Sequence, residues 1–145
     1  MNRTEKTAVL AAGGTGGHLF PAEALAEQLG RQGVHLSLFT DKRATEISGA
    51  LADADTYRIS ASGVSGRSTI RRLCAIFGLC FGFIQATLFL RTIKPDVVVG
   101  FGSYASFPTV AAATLLGYRT VIHEQNAILG RANRFLAPRV TRIAT

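Results

Sequence analysis

Short apolar runs alternate with helical patterns along this 145-residue chain, and this alternation limits the possible folds more than any other feature. The run Asp96-Val97-Val98-Val99 is rich in β-branched residues, which is typical of a parallel strand that is buried on both faces. Strands that alternate with helices form βαβ units around a parallel sheet. The sequence therefore predicts an α/β fold with a doubly wound parallel sheet.

The predicted elements cover most of the chain. Strands are predicted at residues 7–12, 34–40, 56–60, 96–100, 119–123 and 139–144. Helices are predicted at residues 19–31, 43–52, 68–93, 105–116 and 127–137. A doubly wound sheet normally continues into a helix after its last strand, and here the chain ends at Thr145. We therefore expect the chain to be part of a longer protein.

A glycine-rich loop, GGTGG at residues 13–17, lies between the first predicted strand and the first predicted helix. Glycine permits positive φ angles and lets a ligand approach the backbone N–H groups, and a helix N-terminus attracts anions. We expect Pro21 in the first helical turn, where its missing N–H costs nothing. No lysine follows the loop, and Leu19 occupies the place of the third glycine in a dinucleotide fingerprint. A tight turn without a ligand is the alternative interpretation.

His18 directly follows this loop, at the carboxyl end of the first predicted strand. Open α/β sheets bind ligands at that edge. An imidazole there can accept a proton from a hydroxyl nucleophile. Packing against the helix, or capping it, is the alternative role for His18.

Two further loops are expected at the same edge: GFGSYASFP at residues 100–108 and HEQN at residues 123–126. Asn126 is a good N-cap for the helix predicted at 127–137, a ligand contact, or both. Glu124 is either part of the site or a carboxylate whose hydrogen bonds are all made within its own loop. In a sheet of order 3-2-1-4-5 the loops at 13–18, 100–104 and 123–126 line one crevice. Their residue types suit an anionic ligand that carries hydroxyl groups.

Positive charge is concentrated in the second half of the chain. Residues 1–66 have six Lys or Arg and seven Asp or Glu, whereas residues 67–145 have ten Lys or Arg and only two acids. This asymmetry favours an anionic partner, such as a nucleic acid, a phosphorylated substrate or a lipid surface.

The segment from Leu73 to Leu90 contains 18 residues without a charge and is flanked by arginines. A helix that is apolar on all sides and flanked by arginines suits the surface of an anionic membrane. Simple burial, as the crossover helix between the third and fourth strands, or a dimer contact is a second interpretation, and in a membrane Gly78 and Gly82 could pack against a partner helix. A membrane span is the third, since the length is marginal for crossing a bilayer.

Three stretches together resemble the N-terminal half of the MurG family of peptidoglycan glycosyltransferases: AAGGTGGHLFPAEALAEQL, KPDVVVGFGSYASFP and VIHEQNAILGRANRFLA. The resemblance implies a GT-B enzyme with two Rossmann-like domains. Residues 1–145 would form the acceptor-binding and membrane-associating domain, and the C-terminal donor-binding domain would be absent from this chain.

The reaction implied by the resemblance is an inverting transfer of N-acetylglucosamine, independent of metals and cofactors. The donor is UDP-N-acetylglucosamine, and the acceptor is the C4 hydroxyl of undecaprenyl-linked muramyl-pentapeptide. The enzyme would work peripherally at the cytoplasmic face of the bacterial inner membrane, against an anionic membrane surface and without a nucleic-acid partner.

The resemblance also implies roles for individual residues. His18 matches the general base, and Glu124 would orient or assist it. The donor-binding positions are Thr15, Gly16, Gly17 and Asn126. The acceptor-binding positions are Gly13, Gly14, Gly102, Ser103 and Tyr104; Ser103 stands where the family usually has glycine. The expected membrane contacts are Arg67, Arg71, Arg72, Ile76, Phe77, Phe81 and Arg91.

Two rival functions predict different features. A nucleotide-dependent oxidoreductase would use a dinucleotide fingerprint, which the glycine loop lacks. A non-catalytic peripheral membrane module would bind lipid without needing His18. The sequence Asp53-Ala54-Asp55 imitates a metal-binding motif of other glycosyltransferases, but we interpret it as a solvated turn and expect no metal.

Overall fold

The computed structural model describes residues 5–44, 47–61 and 69–145. In these residues a parallel sheet contains the strands β1 (Thr7–Ala11), β2 (His35–Thr40), β3 (Asp55–Arg58), β4 (Val97–Gly100), β5 (Arg119–His123) and β6 (Arg142–Ala144). The strand order is β3-β2-β1-β4-β5-β6, and every neighbouring pair is parallel. The predicted doubly wound parallel sheet is confirmed, with β6 added beyond β5.

The helices are α1 (Gly16–Arg31), α2 (Thr69–Ile93), α3 (Ser103–Leu115) and α4 (Arg131–Leu136), with a 3₁₀ turn at Gly49–Leu51. The helices predicted at 19–31, 68–93 and 105–116 agree with α1, α2 and α3 within three residues, although residue 68 lies outside the described part. Pro21 is the sixth residue of α1 and not part of its first turn, because the helix begins already at Gly16.

The helix predicted at 43–52 is wrong. Of its described residues only the 3₁₀ turn is helical. The carboxylate of Asp41 accepts hydrogen bonds from the N–H and the guanidinium of Arg43. Arg58 donates to the carbonyl oxygens of Asp41 and Ala44. These bonds hold residues 41–44 in a turn, where the backbone groups do not follow a helical pattern.

The last two predicted elements begin too early. The helix predicted at 127–137 begins at Arg131, because residues 126–130 fold around the carboxylate of Glu124. The strand predicted at 139–144 is confined to Arg142–Ala144. The N–H groups of Arg139 and Val140 bond to the carbonyl of Leu136, so residues 137–140 continue the turn that ends α4.

Helices cover both faces of the sheet. On one face Val9, Phe39, Val98 and Ile122 pack with residues of α2, α3 and α4. On the other face Leu10, Leu38, Val99 and Phe101 pack with α1 and the 3₁₀ turn. Successive strand residues point to opposite faces, so each central strand contributes to both parts of the core.

A narrow stripe of mostly small residues on α2 faces the rest of the molecule: Ala75, Gly82, Ala86 and Leu90. A Cβ atom at Gly82 would clash with the carbonyl oxygen of Ser60. Gly82 therefore packs against Ser60 of the same chain and cannot face a partner helix. Because the packing stripe is narrow, most of the apolar surface of α2 remains exposed.

Candidate functional site

The loops after β1, β4 and β5 meet at the carboxyl edge of the sheet, as the strand order predicts. Between them lies a cavity of about 250 Å³. It brings together six of the residues predicted for the site: His18, Gly102, Ser103, Tyr104, Glu124 and Asn126.

His18 lies in the first turn of α1, and its orientation is set by the backbone of the neighbouring strand. The Nδ1 atom is 2.8 Å from the carbonyl oxygen of Phe101. A carbonyl oxygen can only accept a hydrogen bond, so Nδ1 carries the proton and donates it. In this neutral tautomer Nε2 keeps a free lone pair and can act as a base. Gly102 lies beside the imidazole at φ 83°, a conformation that favours glycine, and a Cβ there would make only an ordinary contact, 3.5 Å from Cε1 of His18.

Gln125 also contacts His18, and the sequence analysis missed it. Pro21 has no N–H, so the carbonyl of Gly17 lacks the helical partner that residue 21 would otherwise provide. The amide Nε2 of Gln125 donates to this carbonyl at 3.1 Å and lies 2.7 Å from Nδ1 of His18. Nδ1 cannot donate to Phe101 and accept from Gln125 at once. Donation to Phe101 leaves Nε2 as the basic nitrogen, whereas acceptance from Gln125 would place the ring proton on Nε2. A proline four residues after Gly17 was the available signal.

Glu124 organises the loop that follows β5. Its side chain is buried, and it accepts hydrogen bonds from the backbone and side chain of Asn126, from the N–H of Gly130 and from Nδ2 of Asn133. Burial raises the pKa of the Glu124 carboxyl, but these hydrogen bonds outweigh it and hold the pKa below its ordinary value. The carboxylate is therefore ionised at neutral pH, with its acceptor positions occupied.

The predicted N-cap role of Asn126 is wrong. Gly130 occupies the N-cap position of α4, and the side chain of Asn126 donates to Glu124 at 2.8 Å. The buried carboxylate attracts the amide more strongly than a helix terminus does, because the hydrogen bond is assisted by charge. This hydrogen bond fixes the side chain of Asn126, which is one of the residues that line the cavity.

Two residues of α4 that the sequence analysis missed also line the cavity. Asn133 is buried and donates to the backbone carbonyl of His123 and to Glu124, while its Oδ1 has no partner among the described residues. Arg131 is exposed at the cavity and makes no hydrogen bond or ion pair within the described ranges. Both residues lie beyond the predicted loops, so no motif pointed to them.

Ser103 adopts a left-handed conformation, with φ 64°, at the position where the resembled family usually has glycine. Its Oγ accepts a hydrogen bond from the N–H of Ala105 at 3.1 Å, which partly compensates the strain. A Cβ at Gly13 would clash with this hydroxyl. The close packing against Ser103 therefore requires glycine at position 13.

The other residues of the glycine loop do not line the cavity of His18. Gly14 and Gly16 line a separate cavity of about 310 Å³ beside Arg43. Thr15 precedes α1 and forms no side-chain cap with it, so the first N–H groups of the helix are left without that partner. Thr15 and Gly17 are exposed.

The predicted membrane contacts on α2 are exposed where the structure describes them. Phe77 is 74% exposed and Phe81 is 56% exposed, and Ile76, Arg71, Arg72 and Arg91 are exposed as well. Arg67 lies outside the described residues. Within the described ranges, α2 is the one helix long and apolar enough to cross a membrane, and 22% of its most apolar stretch is buried.

The acidic pair Asp53 and Asp55 lies at the opposite edge of the sheet, where β3 begins. Asp55 forms an ion pair with His35 at 3.0 Å, and both side chains are largely exposed. In the part of the chain that the structure describes, no three His, Cys, Asp or Glu side chains are grouped as a metal site.

Several known proteins are similar to this chain in sequence and in fold. The glycosyltransferase family 28 N-terminal domain matches residues 8–145. The UDP-N-acetylglucosamine–N-acetylmuramyl-(pentapeptide) pyrophosphoryl-undecaprenol N-acetylglucosamine transferase of Rhodospirillum rubrum is 58% identical over 135 residues, which cover 93% of this chain and 35% of that protein. The transferase of the same name from Paramagnetospirillum magneticum is 52% identical over 145 residues, 100% of this chain and 39% of that protein.

The crystal structure of Acinetobacter baumannii MurG superimposes with a TM-score of 0.79 at 37% identity, covering 96% of this chain and 40% of that one. The chain thus spans well under half the length of each of these relatives.

Proposed function

Because the chain belongs to glycosyltransferase family 28, whose N-terminal domain it matches over residues 8–145, we propose that it is the acceptor-binding domain of a transferase. The whole enzyme would transfer N-acetylglucosamine from UDP-N-acetylglucosamine to the C4 hydroxyl of undecaprenyl-linked muramyl-pentapeptide. The names of the two bacterial relatives support this donor and acceptor. A second domain, outside residues 1–145, would hold most of the donor.

The tautomer of His18 carries the proposal. In the tautomer whose Nδ1 donates to the carbonyl of Phe101, Nε2 is the basic nitrogen of a side chain that lines the cavity. Nε2 accepts the proton of the C4 hydroxyl while that oxygen attacks the anomeric carbon of N-acetylglucosamine. The bond between this carbon and the UDP oxygen breaks, UDP leaves with the electron pair, and the anomeric configuration inverts.

Glu124 takes part by positioning rather than by proton transfer. Its two oxygens already accept four hydrogen bonds, so the carboxylate has little capacity to take up a further proton. It holds Asn126 with the amide nitrogen turned inward, which presents the Asn126 carbonyl oxygen to a substrate hydroxyl.

The donor would lie beside the N-terminus of α1. The uncapped N–H groups of Gly16 and Gly17 and the partial positive charge of a 16-residue helix favour the phosphate oxygens of UDP. On the acceptor side, Gly102, Ser103 and Tyr104 would contact the muramyl sugar. Gly13 and Gly14 shape the loop by close packing and support the acceptor site indirectly.

Steady-state kinetics of the whole enzyme with His18→Asn test the role of His18. The asparagine amide can still donate to the Phe101 carbonyl but cannot accept a proton, so we expect kcat to fall by about 10²–10⁴-fold. His35→Asn, at the opposite edge of the sheet, is the matched control and should leave kcat unchanged. A near-normal rate for His18→Asn would contradict the mechanism. The 145-residue chain alone should show no turnover.

The domain also associates peripherally with the cytoplasmic face of the bacterial inner membrane in this proposal. Large apolar side chains cover the outer side of α2 and are exposed: Ile70, Leu73, Ile76, Phe77, Phe81, Ile84 and Leu88. Simple burial within the chain does not account for them. A membrane span would pull α2 away from α3 and Gly82 away from Ser60, so we favour insertion of this outer side into an anionic lipid surface.

A further inference from the structure

A second cavity adjoins the cavity of His18. It has a volume of about 240 Å³ and lies between α2, α3 and α4. Its apolar walls are the side chains of Leu79, Phe107 and Phe135. Three residues line both cavities, which therefore lie side by side: Tyr104, Arg131 and Ala132. We refer to this second cavity as the tail groove.

The tail groove differs from the cavity of His18 in its chemistry. The rings of Phe107 and Phe135 are in contact, with centroids 5.6 Å apart, and Phe135 is 56% exposed. Arg131 is the one charged side chain that lines the groove. The guanidinium makes no hydrogen bond or ion pair with the described residues, so it can bind an anion at the junction of the two cavities.

We propose that the tail groove holds the first isoprene units of the acceptor lipid and that Arg131 binds the pyrophosphate between lipid and sugar. This inference rests on the proposed function. The ligand has the order sugar, pyrophosphate, isoprenoid. The structure has the same order of surfaces: the polar cavity with His18, then Arg131, then the apolar groove. The match in order and in charge identifies the occupant.

The position of Leu79 gives the remaining chain a path to the bilayer. Leu79 lies on α2, within one turn of the exposed side chains of Ile76 and Phe77. The first turns of α2 lie at the carboxyl edge of the sheet, because α2 follows β3. A polyprenyl chain that leaves the groove past Leu79 therefore reaches exposed apolar side chains of the proposed membrane surface within one helical turn.

Binding of farnesyl pyrophosphate to the 145-residue chain, measured by calorimetry and by NMR shift mapping, tests the inference. Farnesyl pyrophosphate should bind at least about tenfold more tightly than either pyrophosphate or farnesol, because each of these occupies one part of the site. The largest shifts should fall on Leu79, Tyr104 and Ala132.

Two variants separate the two parts of the ligand. Arg131→Leu should weaken farnesyl pyrophosphate and pyrophosphate by about five- to tenfold and leave farnesol unaffected. Phe135→Ala, which truncates a half-exposed side chain and so preserves the fold, should weaken farnesyl pyrophosphate and farnesol by about three- to tenfold. The controls are Arg134→Leu on the same helix and Phe77→Ser on the outer side of α2, and both should bind normally.

Two results would overturn the inference. Equal effects of Arg134→Leu and Arg131→Leu would show that the anion responds to overall charge alone. Loss of farnesol binding in Phe77→Ser, with shifts along the outer side of α2, would place the isoprenoid on the membrane surface instead. Transferase activity that depends on His18 in the whole enzyme is measured separately. It would survive if the tail groove alone were wrong, so the two failures are distinguishable.

Discussion

At His18 the surrounding backbone decides which chemistry the side chain can perform. A histidine after a glycine loop can pack, cap a helix or act as a base. Donation from Nδ1 to the carbonyl of Phe101 belongs to the tautomer in which Nε2 is basic, and Gly102 lies beside the ring at φ 83°. The missing N–H of Pro21 frees the Gly17 carbonyl for Gln125, which brings a second polar group to the same imidazole.

Glu124→Gln should lower the free energy of unfolding of this chain, and the effect should depend on pH. Because the folded-state pKa of Glu124 is lowered, its stabilising contribution is present above the ordinary glutamate pKa and is lost as the pH falls through the lowered value. At pH 7 we expect a loss of about 1–3 kcal/mol, since the variant leaves buried donors unpaired. Urea unfolding of both proteins at a series of pH values measures this difference in the free energy of unfolding.

The difference between wild type and Glu124→Gln should narrow towards acidic pH. Glu27→Gln is the control, because Glu27 forms an exposed ion pair with Arg31 and should change stability by less than about 1 kcal/mol. A destabilisation by Glu124→Gln that stays constant from neutral to acidic pH would contradict the assigned role of the carboxylate.

Replacing Ser103 with alanine and with glycine should separate strain from hydrogen bonding. Both variants lose the bond that Oγ accepts from Ala105, but only glycine tolerates φ 64° without a steric cost. We expect Ser103→Ala to be less stable than Ser103→Gly by about 1 kcal/mol. Thermal or urea unfolding of the two proteins decides this, and equal stabilities would show that residue 103 is not strained.

At the scale of elements, α2 combines two functions that a sequence pattern cannot separate. It is the crossover helix between β3 and β4, and it needs only a narrow stripe for packing. The remaining apolar residues are exposed, and we propose that they contact a lipid surface outside the domain. A helix that is apolar on all sides shows no periodicity, so its packed side was not predictable.

Alanine substitutions at two helical glycines test how closely α2 packs on Ser60. A Cβ at Gly82 would clash with the carbonyl of Ser60, so Gly82→Ala should destabilise the chain by about 1–3 kcal/mol. Gly30, in α1, has nothing within 4 Å of the added Cβ, and Gly30→Ala should stabilise the chain by about 0.5–1 kcal/mol. Unfolding by urea compares the two. Stabilisation by both substitutions would mean that α2 is not packed closely on Ser60.

At the scale of the whole molecule, positive charge and exposed apolar surface occur in the same half of the chain. Residues 67–145 carry a net charge of +8, from ten basic and two acidic residues. In the proposed docking, arginines would attract the domain to anionic lipids, and the phenylalanines of α2 would add binding that salt does not screen.

Vesicle sedimentation across a salt series tests this arrangement. Arg71→Gln combined with Arg91→Gln should weaken binding to anionic vesicles by about 2 kcal/mol, roughly 30-fold. Arg119→Gln combined with Arg142→Gln removes equal charge away from α2 and is the control. Phe77→Ser and Phe81→Ser should weaken binding with less dependence on salt.

Two outcomes would count against peripheral docking. Equal binding to neutral and anionic vesicles would exclude the electrostatic part. Dimerisation in solution that Phe77→Ser abolishes, without vesicle binding, would make the outer side of α2 a protein interface.

The amino-acid sequence by itself determined the class of fold, the order of the central strands and the edge where the site lies. These follow from local patterns, because β-branched runs, glycine loops and helical periodicity each act over a few residues. The resemblance of three motifs to a glycosyltransferase family was also readable, and the family is confirmed.

Only the tertiary structure decided which groups contact one another in the site. The tautomer of His18 depends on a carbonyl 83 residues away, and the contact of Gln125 with Gly17 spans 108 residues. The start of α4 depends on a buried carboxylate that removes Asn126 from the helix cap. The tail groove forms, and Arg131 lies beside it, because three helices meet next to the loops. Such features depend on contacts between distant segments, which local sequence patterns do not encode.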